Sequence, residues 1–294
     1  MSGKFKIVVD EKFGYKRIDP IPSNKEIDDF YNKSYYEMIG DGEGNPDQIA
    51  RLMSKSSEAE SELSWLKNSM YSDILSVLKK LSPGKTVLDI GCGTGDLMLH
   101  MKDGGFDVSG IEPSTHASDI ARGKGLVVEN TTADRFKCKK KFDAVTMISV
   151  LEHVPRPQNV VEKVKGMLND DGVLCIVVPN DFSKIQDDVK RSLDKKEDWW
   201  VSFPDHLNYF NFESLCGFLK KMGFDICYQQ GDFPMELFLL MGQDYINDKT
   251  LGKKCHDMRV MFEKSLSPDL KRSMYGALSE VGIGRACLVV GRVR

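Results

Sequence analysis

Long apolar runs are missing from this chain of 294 residues. None approaches the roughly 20 consecutive apolar residues that a helix needs to cross a bilayer. The opening Met1-Ser2-Gly3-Lys4 also leads into no apolar signal core. A soluble, cytoplasmic protein with no membrane partner is therefore expected. An excess of positive charge is missing too: 41 Lys and Arg stand against 44 Asp and Glu, for a net charge of -3. Nucleic acid is not an expected partner, because its binding calls for clustered basic surface. The short Lys139-Lys140-Lys141 run falls in a loop and reads as solvated. Seven cysteines show no C-x-x-C or other metal spacing, so they read as reduced thiols and no metal site is expected. Hydrophobic residues make up 41% of the chain, enough for one large α/β domain with an appendage or for two small domains.

What the sequence does have is a glycine turn, Gly91-Cys92-Gly93-Thr94-Gly95, between a strand-like Thr86-Val87-Leu88-Asp89-Ile90 and a helix-like Leu97-Met98-Leu99-His100-Met101. Glycines at alternate positions leave the backbone bare, so a ligand can lie directly on the peptide groups. The dinucleotide fingerprint G-x-G-x-x-G requires a third glycine where this chain has Asp96, and an acid there repels a pyrophosphate. Asp89 and Asp96 suit a ligand carrying positive charge. The nine residues from Val87 to Gly95 resemble the first motif of the class I S-adenosylmethionine-dependent methyltransferases. That resemblance implies that Asp89, Gly91, Cys92, Gly93 and Gly95 hold the cationic methionine end of the cofactor.

The pattern after Pro83-Gly84 alternates strand and helix, which implies a parallel sheet with helices on both faces. The fold expected with the family is a Rossmann-like α/β domain over 83–294. Its seven-stranded sheet is mostly parallel with an antiparallel last strand, and helical insertions fall at about 182–211 and 233–281. Residues 1–82 read as an arm, with a short strand at Lys6 to Val9, followed by a helical cap with one long helix from about Pro46 to Leu81. Strands are expected at Asp107 to Glu112, Gly125 to Glu129, Phe142 to Ser149, Val173 to Val178, Phe224 to Gln229 and Ala286 to Val293.

An acid ending the second strand of such a fold, about 20 residues past the glycine turn, accepts hydrogen bonds from ribose hydroxyls. Glu112, followed by Pro113, fits that position. The family resemblance further implies an adenine contact from Asp134 or Thr132, and a pocket lining from Ser149 and Val150 beside the transferable methyl group. Tyr31, Tyr35 and Tyr36 in the cap read either as half-buried packing or as an aromatic cover that closes over the cofactor pocket on its substrate side. Trp199, Trp200 and Tyr209 lie in the insertion after the fifth strand, at the carboxyl edge where open α/β sheets place substrates. The run from His206 to Phe210 is similar to an H-x-x-x-F stretch in small-molecule methyltransferases related to the ubiquinone-biosynthesis enzymes. His206 is the candidate base, with His153, expected to open a helix, as a second; both also read as structural hydrogen-bonding residues.

The expected activity is methyl transfer from S-adenosylmethionine to a small molecule, most simply to an oxygen of a sugar, a nucleotide-linked sugar or a natural-product precursor. Ile148-Ser149-Val150-Leu151 replaces the N-P-P-Y-like turn of enzymes that methylate nucleobase or amide nitrogens. The alternatives are N- or C-methylation of a small molecule, an NAD-dependent oxidoreductase or epimerase, and a cofactor-binding protein without catalysis. The NAD reading lacks both the glycine that Asp96 replaces and a Tyr-x-x-x-Lys pair. The apolar run from Phe233 to Gly242 reads as buried core, a homodimer face or a pocket wall.

Overall fold

The structure, a computed structural model, describes residues 5–23, 26 and 57–294. Tyr31, Tyr35 and Tyr36 in the expected cap and the beginning of the expected 46–81 helix lie outside the described residues. From Thr86 onward the chain builds a seven-stranded sheet. Its strands are β3 (Thr86–Ile90), β4 (Asp107–Ile111), β5 (Val127–Glu129), β6 (Phe142–Ile148), β7 (Leu168–Pro179), β9 (Phe224–Gln230) and β10 (Ala286–Val293). They lie side by side in the order β5-β4-β3-β6-β7-β10-β9. The first five are mutually parallel. β10 inserts antiparallel between β7 and β9, as expected for the last strand. The order reverses at β3, with β4 on one side and β6 on the other, and that reversal opens a crevice above the carboxyl ends of these strands.

β3 reads Thr-Val-Leu-Asp-Ile, with its last four residues buried, as suits a central parallel strand covered on both faces. Each face carries its own apolar cluster. Leu88, Ile90, Val145, Met147, Leu174 and Ile176 pack on one side with residues of α5 (Pro157–Met167) and α7 (Phe212–Lys221). Val87, Ala144, Val173 and Cys175 pack on the other with α2 (Met70–Leu81) and α3 (Asp96–Asp103). α4 (Thr115–Gly123) crosses between β4 and β5.

Among the described residues the long helix expected to end at Leu81 is broken at Ser69 into α1 (Ser57–Asn68) and α2. Ser69 Oγ donates to the Trp65 carbonyl at 2.7 Å, and the Ser69 backbone leaves the helical region. Such bonding back to the preceding turn competes with the helical ladder. α1 then lies against α9 (Lys249–Ser265), where Trp65 Nε1 donates to Glu263 Oε2 at 2.6 Å.

The N-terminal arm is more ordered than its sequence implies. β1 (Lys6–Val9) pairs with β2 (Lys16–Asp19), and β2 pairs in turn with β8 (Asn208–Tyr209). The arm is thus stitched to the aromatic insertion, around Ile18, Leu207 and Tyr209. The second insertion holds α8 (Glu236–Leu240), α9 and α10 (Pro268–Glu280). Within it Phe233, Met235, Phe238, Cys255 and Tyr275 form a separate core, so much of the 233–242 run is buried within the chain. Leu237, Leu240 and Met241 remain exposed. α6 (Lys184–Ser192) lies beside α8. No helix among the described residues is long and apolar enough to cross a membrane.

Candidate active site

The glycine turn sits at the carboxyl end of β3, directly over the reversal of strand order. Gly91 (φ +70°) and Gly95 (φ +81°) adopt left-handed backbone and are tightly packed. A Cβ on Gly91 would lie 2.6 Å from Val150 Cγ2, and one on Gly95 would lie 2.4 Å from Leu126 Cδ1. A Cβ on Gly93 would meet nothing within 4 Å, so this peptide borders open space.

Two acids flank the turn. Asp89, the fourth residue of β3, is 2% exposed, and the Thr146 hydroxyl donates to its Oδ1 at 2.6 Å. Burial pushes the Asp89 carboxyl up to about 7; the Thr146 hydrogen bond opposes the rise and the charge of Glu112 adds to it. Glu112, just past β4, accepts from the Gly93 amide at 2.9 Å through Oε2 and from the Ser114 amide at 2.8 Å through Oε1. Burial raises the Glu112 carboxyl too, against those two amide bonds. Two buried carboxyls with raised affinity for a proton favour any cation brought beside them. The Cys92 thiol is buried and held protonated by burial and by these acids. Asp96, the third acid of the turn, pairs with Lys124 at 2.8 Å and accepts from Thr94 Oγ1 at 2.6 Å; its charge is spent on that ion pair at the start of α3.

Of the two adenine candidates, Asp134 is exposed, and its backbone oxygen accepts from Lys163. Thr132 is half-buried, and its Oγ1 is enclosed without a hydrogen-bond partner. Pro113 is exposed, its carbonyl accepting from Asn130 Nδ2 at 2.9 Å. Ser149 directly follows β6 with φ +53°, a left-handed conformation that is strained for a serine. Its amide donates to the Val177 carbonyl at 2.9 Å, and the twist leaves it exposed at the crevice. Val150, next in the chain, packs over Gly91.

The two histidines come together. Their rings lie 5.0 Å apart, because the segment around His206 is clamped onto the turn after β6. Leu207 N and Asn208 N both donate to the Glu152 carbonyl, and Asn208 Nδ2 reaches the carbonyls of Leu151 and Val154. These bonds hold residues 151–153 as a turn, so His153 does not open a helix; the helix begins only at Pro157. His153 Nδ1 lies 2.8 Å from the Asp205 carbonyl and 3.2 Å from its carboxylate. Burial favours the neutral ring, but the Asp205 hydrogen bond and the charges of Glu152 and Asp205 outweigh it and lift His153 to about 9. Burial and the neighbouring His153 charge press His206 down to about 4. His153 is therefore a cation and His206 a neutral ring at pH 7, with His206 Nδ1 buried and unpartnered. Sequence spacing gave no hint of a metal set, yet one ligand atom each from Glu152, His153 and His206 lie within 4.8 Å of one another.

The aromatic insertion supplies Trp200, 9% exposed with Nε1 unpartnered, and Trp199 edge-on against it at 4.6 Å. Tyr209 is fully enclosed, and its hydroxyl donates to the His206 carbonyl at 3.1 Å, so it props the histidine segment. Four buried residues at this edge were not singled out from the sequence: Asn180 and Asp181 beyond β7, Gln186 on α6 and Glu236 on α8. Asn180-Asp181 directly after a strand was the available signal; Glu236 had none.

Residues 63–229 match the methyltransferase-domain family. Over 103 residues the chain is 40% identical to the ubiquinone biosynthesis O-methyltransferase of Actinobacillus pleuropneumoniae serotype 7 (strain AP76), covering 31% of this chain. The match spans 44% of that protein's length. Among solved structures, the plantazolicin methyltransferase BpumL, in complex with a monoazolic desmethylPZN analog and SAH, aligns with a TM-score of 0.53 at 16% identity, covering 92% of this chain and 94% of that one. The magnesium protoporphyrin IX methyltransferase (ChlM) from Synechocystis PCC 6803 with bound SAH aligns with a TM-score of 0.50 at 16% identity, covering 70% and 92%. At such identities these two are likenesses of fold. The family match over more than half of the sequence reaches further: the chain belongs to the class I S-adenosylmethionine-dependent methyltransferases.

Proposed function

We propose that this chain transfers a methyl group from S-adenosylmethionine to a small-molecule acceptor, with oxygen as the receiving atom. The observation that carries the reading is the pairing of buried Asp89 and Glu112 at the ends of adjacent strands, beside a glycine turn whose central peptide borders open space. The residues fit the cofactor. Two raised carboxyls await positive charge, Glu112 keeps acceptor capacity for hydroxyls after its two amide bonds, and Thr132 Oγ1 is enclosed without a partner. When bound, the cofactor supplies a methyl group activated on a sulfonium.

The protein's own contribution is alignment and a place for a proton. Ser149 and Val150 border the end of β6, where strain is held by the Val177 bond. His206, kept neutral at physiological pH, presents an unpartnered nitrogen to accept a hydroxyl proton, while Asp205 and the charged His153 fix its surroundings. The name of the curated relative supports oxygen as the receiving atom. Calorimetry with S-adenosylmethionine, S-adenosylhomocysteine and NAD tests the cofactor: binding of NAD and of neither sulfur ligand overturns the reading. Screening acceptors for the mass gain of one methyl, with His206→Asn alongside, separates an enzyme from a non-catalytic binder.

A further inference from the structure

The acceptor side of the crevice buries two carboxyls that no cation pairs among the described residues. Asp181 follows β7 and Glu236 opens α8, 6% and 2% exposed. Among the described residues neither forms an ion pair; burial raises both carboxyls above their ordinary range, and the cation that opposes the rise, Arg285, is itself exposed. The neighbouring Asp232 is, by contrast, an acid with its structural partners in place: Arg259 Nη2 reaches it at 2.8 Å and the Ala286 amide at 2.7 Å. Gln186 donates to Glu236 Oε1 at 3.3 Å and lies close enough to Asp181 to oppose the rise of its carboxyl.

Glu236 Oε2 is enclosed with no hydrogen-bond partner, and so are Asn180 Oδ1 and Glu152 Oε2. All are acceptors. A fold rarely leaves several buried acceptors without donors, and where it does a ligand commonly completes them. Aromatic rings stand beside the acids: Phe182, next in the chain to Asp181, meets Trp200 at 5.4 Å and Tyr209 at 5.7 Å, and burial with the nearby Glu236 raises the Tyr245 hydroxyl. Acids backed by aromatic rings bind organic cations. A metal ion is the weaker occupant, because Asp181 and Glu236 join no set of three ligand side chains close enough to share one among the described residues.

We infer that the acceptor carries a protonated amine, seated between Asp181 and Glu236. This deepens the methyl-transfer reading and rests on it, and it concerns the acceptor's charge whichever atom is methylated. The test uses the full chain saturated with S-adenosylhomocysteine, and benzylammonium against benzyl alcohol as matched probes, with binding followed by calorimetry. Benzylammonium should bind at least about tenfold more tightly than the alcohol. Asp181→Asn and Glu236→Gln should each abolish that preference while leaving affinity for S-adenosylhomocysteine unchanged, whereas Asp232→Asn should leave the preference intact. Equal binding of the two probes, a preference that survives both substitutions, or loss of benzylammonium binding on adding Mg²⁺ overturns the inference. Failure to bind S-adenosylhomocysteine would instead remove the methyl-transfer reading beneath it.

Discussion

Glu112 holds the Gly93 amide at 2.9 Å, so the acid expected to meet ribose hydroxyls also sets the shape of the glycine turn. Its other oxygen takes the Ser114 amide. Glu112→Gln turns an –NH₂ toward one of these two N–H groups, leaving a donor facing a donor. A hydrogen bond to a charged group is worth about 1.5–3 kcal/mol, so affinity for S-adenosylhomocysteine should fall roughly 10- to 150-fold. Titration calorimetry checks it, and an unchanged affinity would remove Glu112 from the cofactor site.

Gly91 and Val150 are locked together by space. Gly91→Ala places a Cβ 2.6 Å from Val150 Cγ2 at φ +70°, adding steric crowding to left-handed strain. Overpacking costs about 1–3 kcal/mol, and the left-handed backbone about 1–2 kcal/mol more. The variant should melt at lower temperature and bind cofactor weakly. Adding Val150→Ala should recover the crowding part and leave the backbone part. Gly93→Ala meets nothing within 4 Å but also sits at left-handed φ +52°, so it should carry the backbone cost of about 1–2 kcal/mol without the crowding, and a loss of binding out of proportion to that cost would report the ligand itself.

The glycine turn, the place of Glu112 after a strand and the alternation of strand and helix were legible because they are local: a turn needs its glycines and a parallel strand its apolar run. The break at Ser69 was not, because helical periodicity continues through it and only the hydroxyl bonded to Trp65 marks it. Nor was the pairing of Lys16 and Arg17 with Tyr209 and Asn208, which joins segments separated by most of the chain. Asp181 and Glu236 are ordinary acids in sequence, and burial alone makes them unusual. His153 and His206 could be picked out singly, but their opposite titration follows from a contact across some fifty residues.

Asp89 should make the cofactor-free fold sensitive to pH. Its carboxyl rises from 3.8 unfolded to about 7 folded, so between these values the folded state holds the extra proton and stability falls as pH rises. Asp89→Asn should flatten that slope and raise the melting temperature near pH 7. The same substitution should weaken S-adenosylhomocysteine binding, since a bound ammonium favours the ionised carboxylate. In the native protein the affinity should climb with pH up to about 7, by at most about tenfold per unit, and in the variant it should not. Melting curves and calorimetry at pH 5, 6, 7 and 8 check both halves.

His153 and His206 should titrate against each other. His153 goes from 6.5 to about 9 on folding; its contribution to stability is complete below 6.5 and lost as pH rises through 9. His206 goes from 6.5 to about 4, so its contribution holds above 6.5 and is lost as pH falls toward 4. His153→Asn should therefore remove part of the alkaline loss of stability, and His206→Asn part of the acid loss, which melting curves from pH 4 to 10 resolve. Turnover separates their roles further. A neutral His206 is available throughout the range above about 4, so this group should leave kcat level between pH 5.5 and 8. Removing a positioned base costs about 10²- to 10⁴-fold, and His206→Asn should lower kcat within that range with little change in acceptor KM. His153→Asn frees Asp205 from its partner and raises the basicity of His206 by removing the adjacent positive charge. It should therefore move the acid limb of the kcat profile to higher pH, a shift that a purely structural defect would not produce. An acid limb unmoved in His153→Asn, or a His206→Asn variant with nearly full turnover at saturating acceptor, would assign the proton to another group.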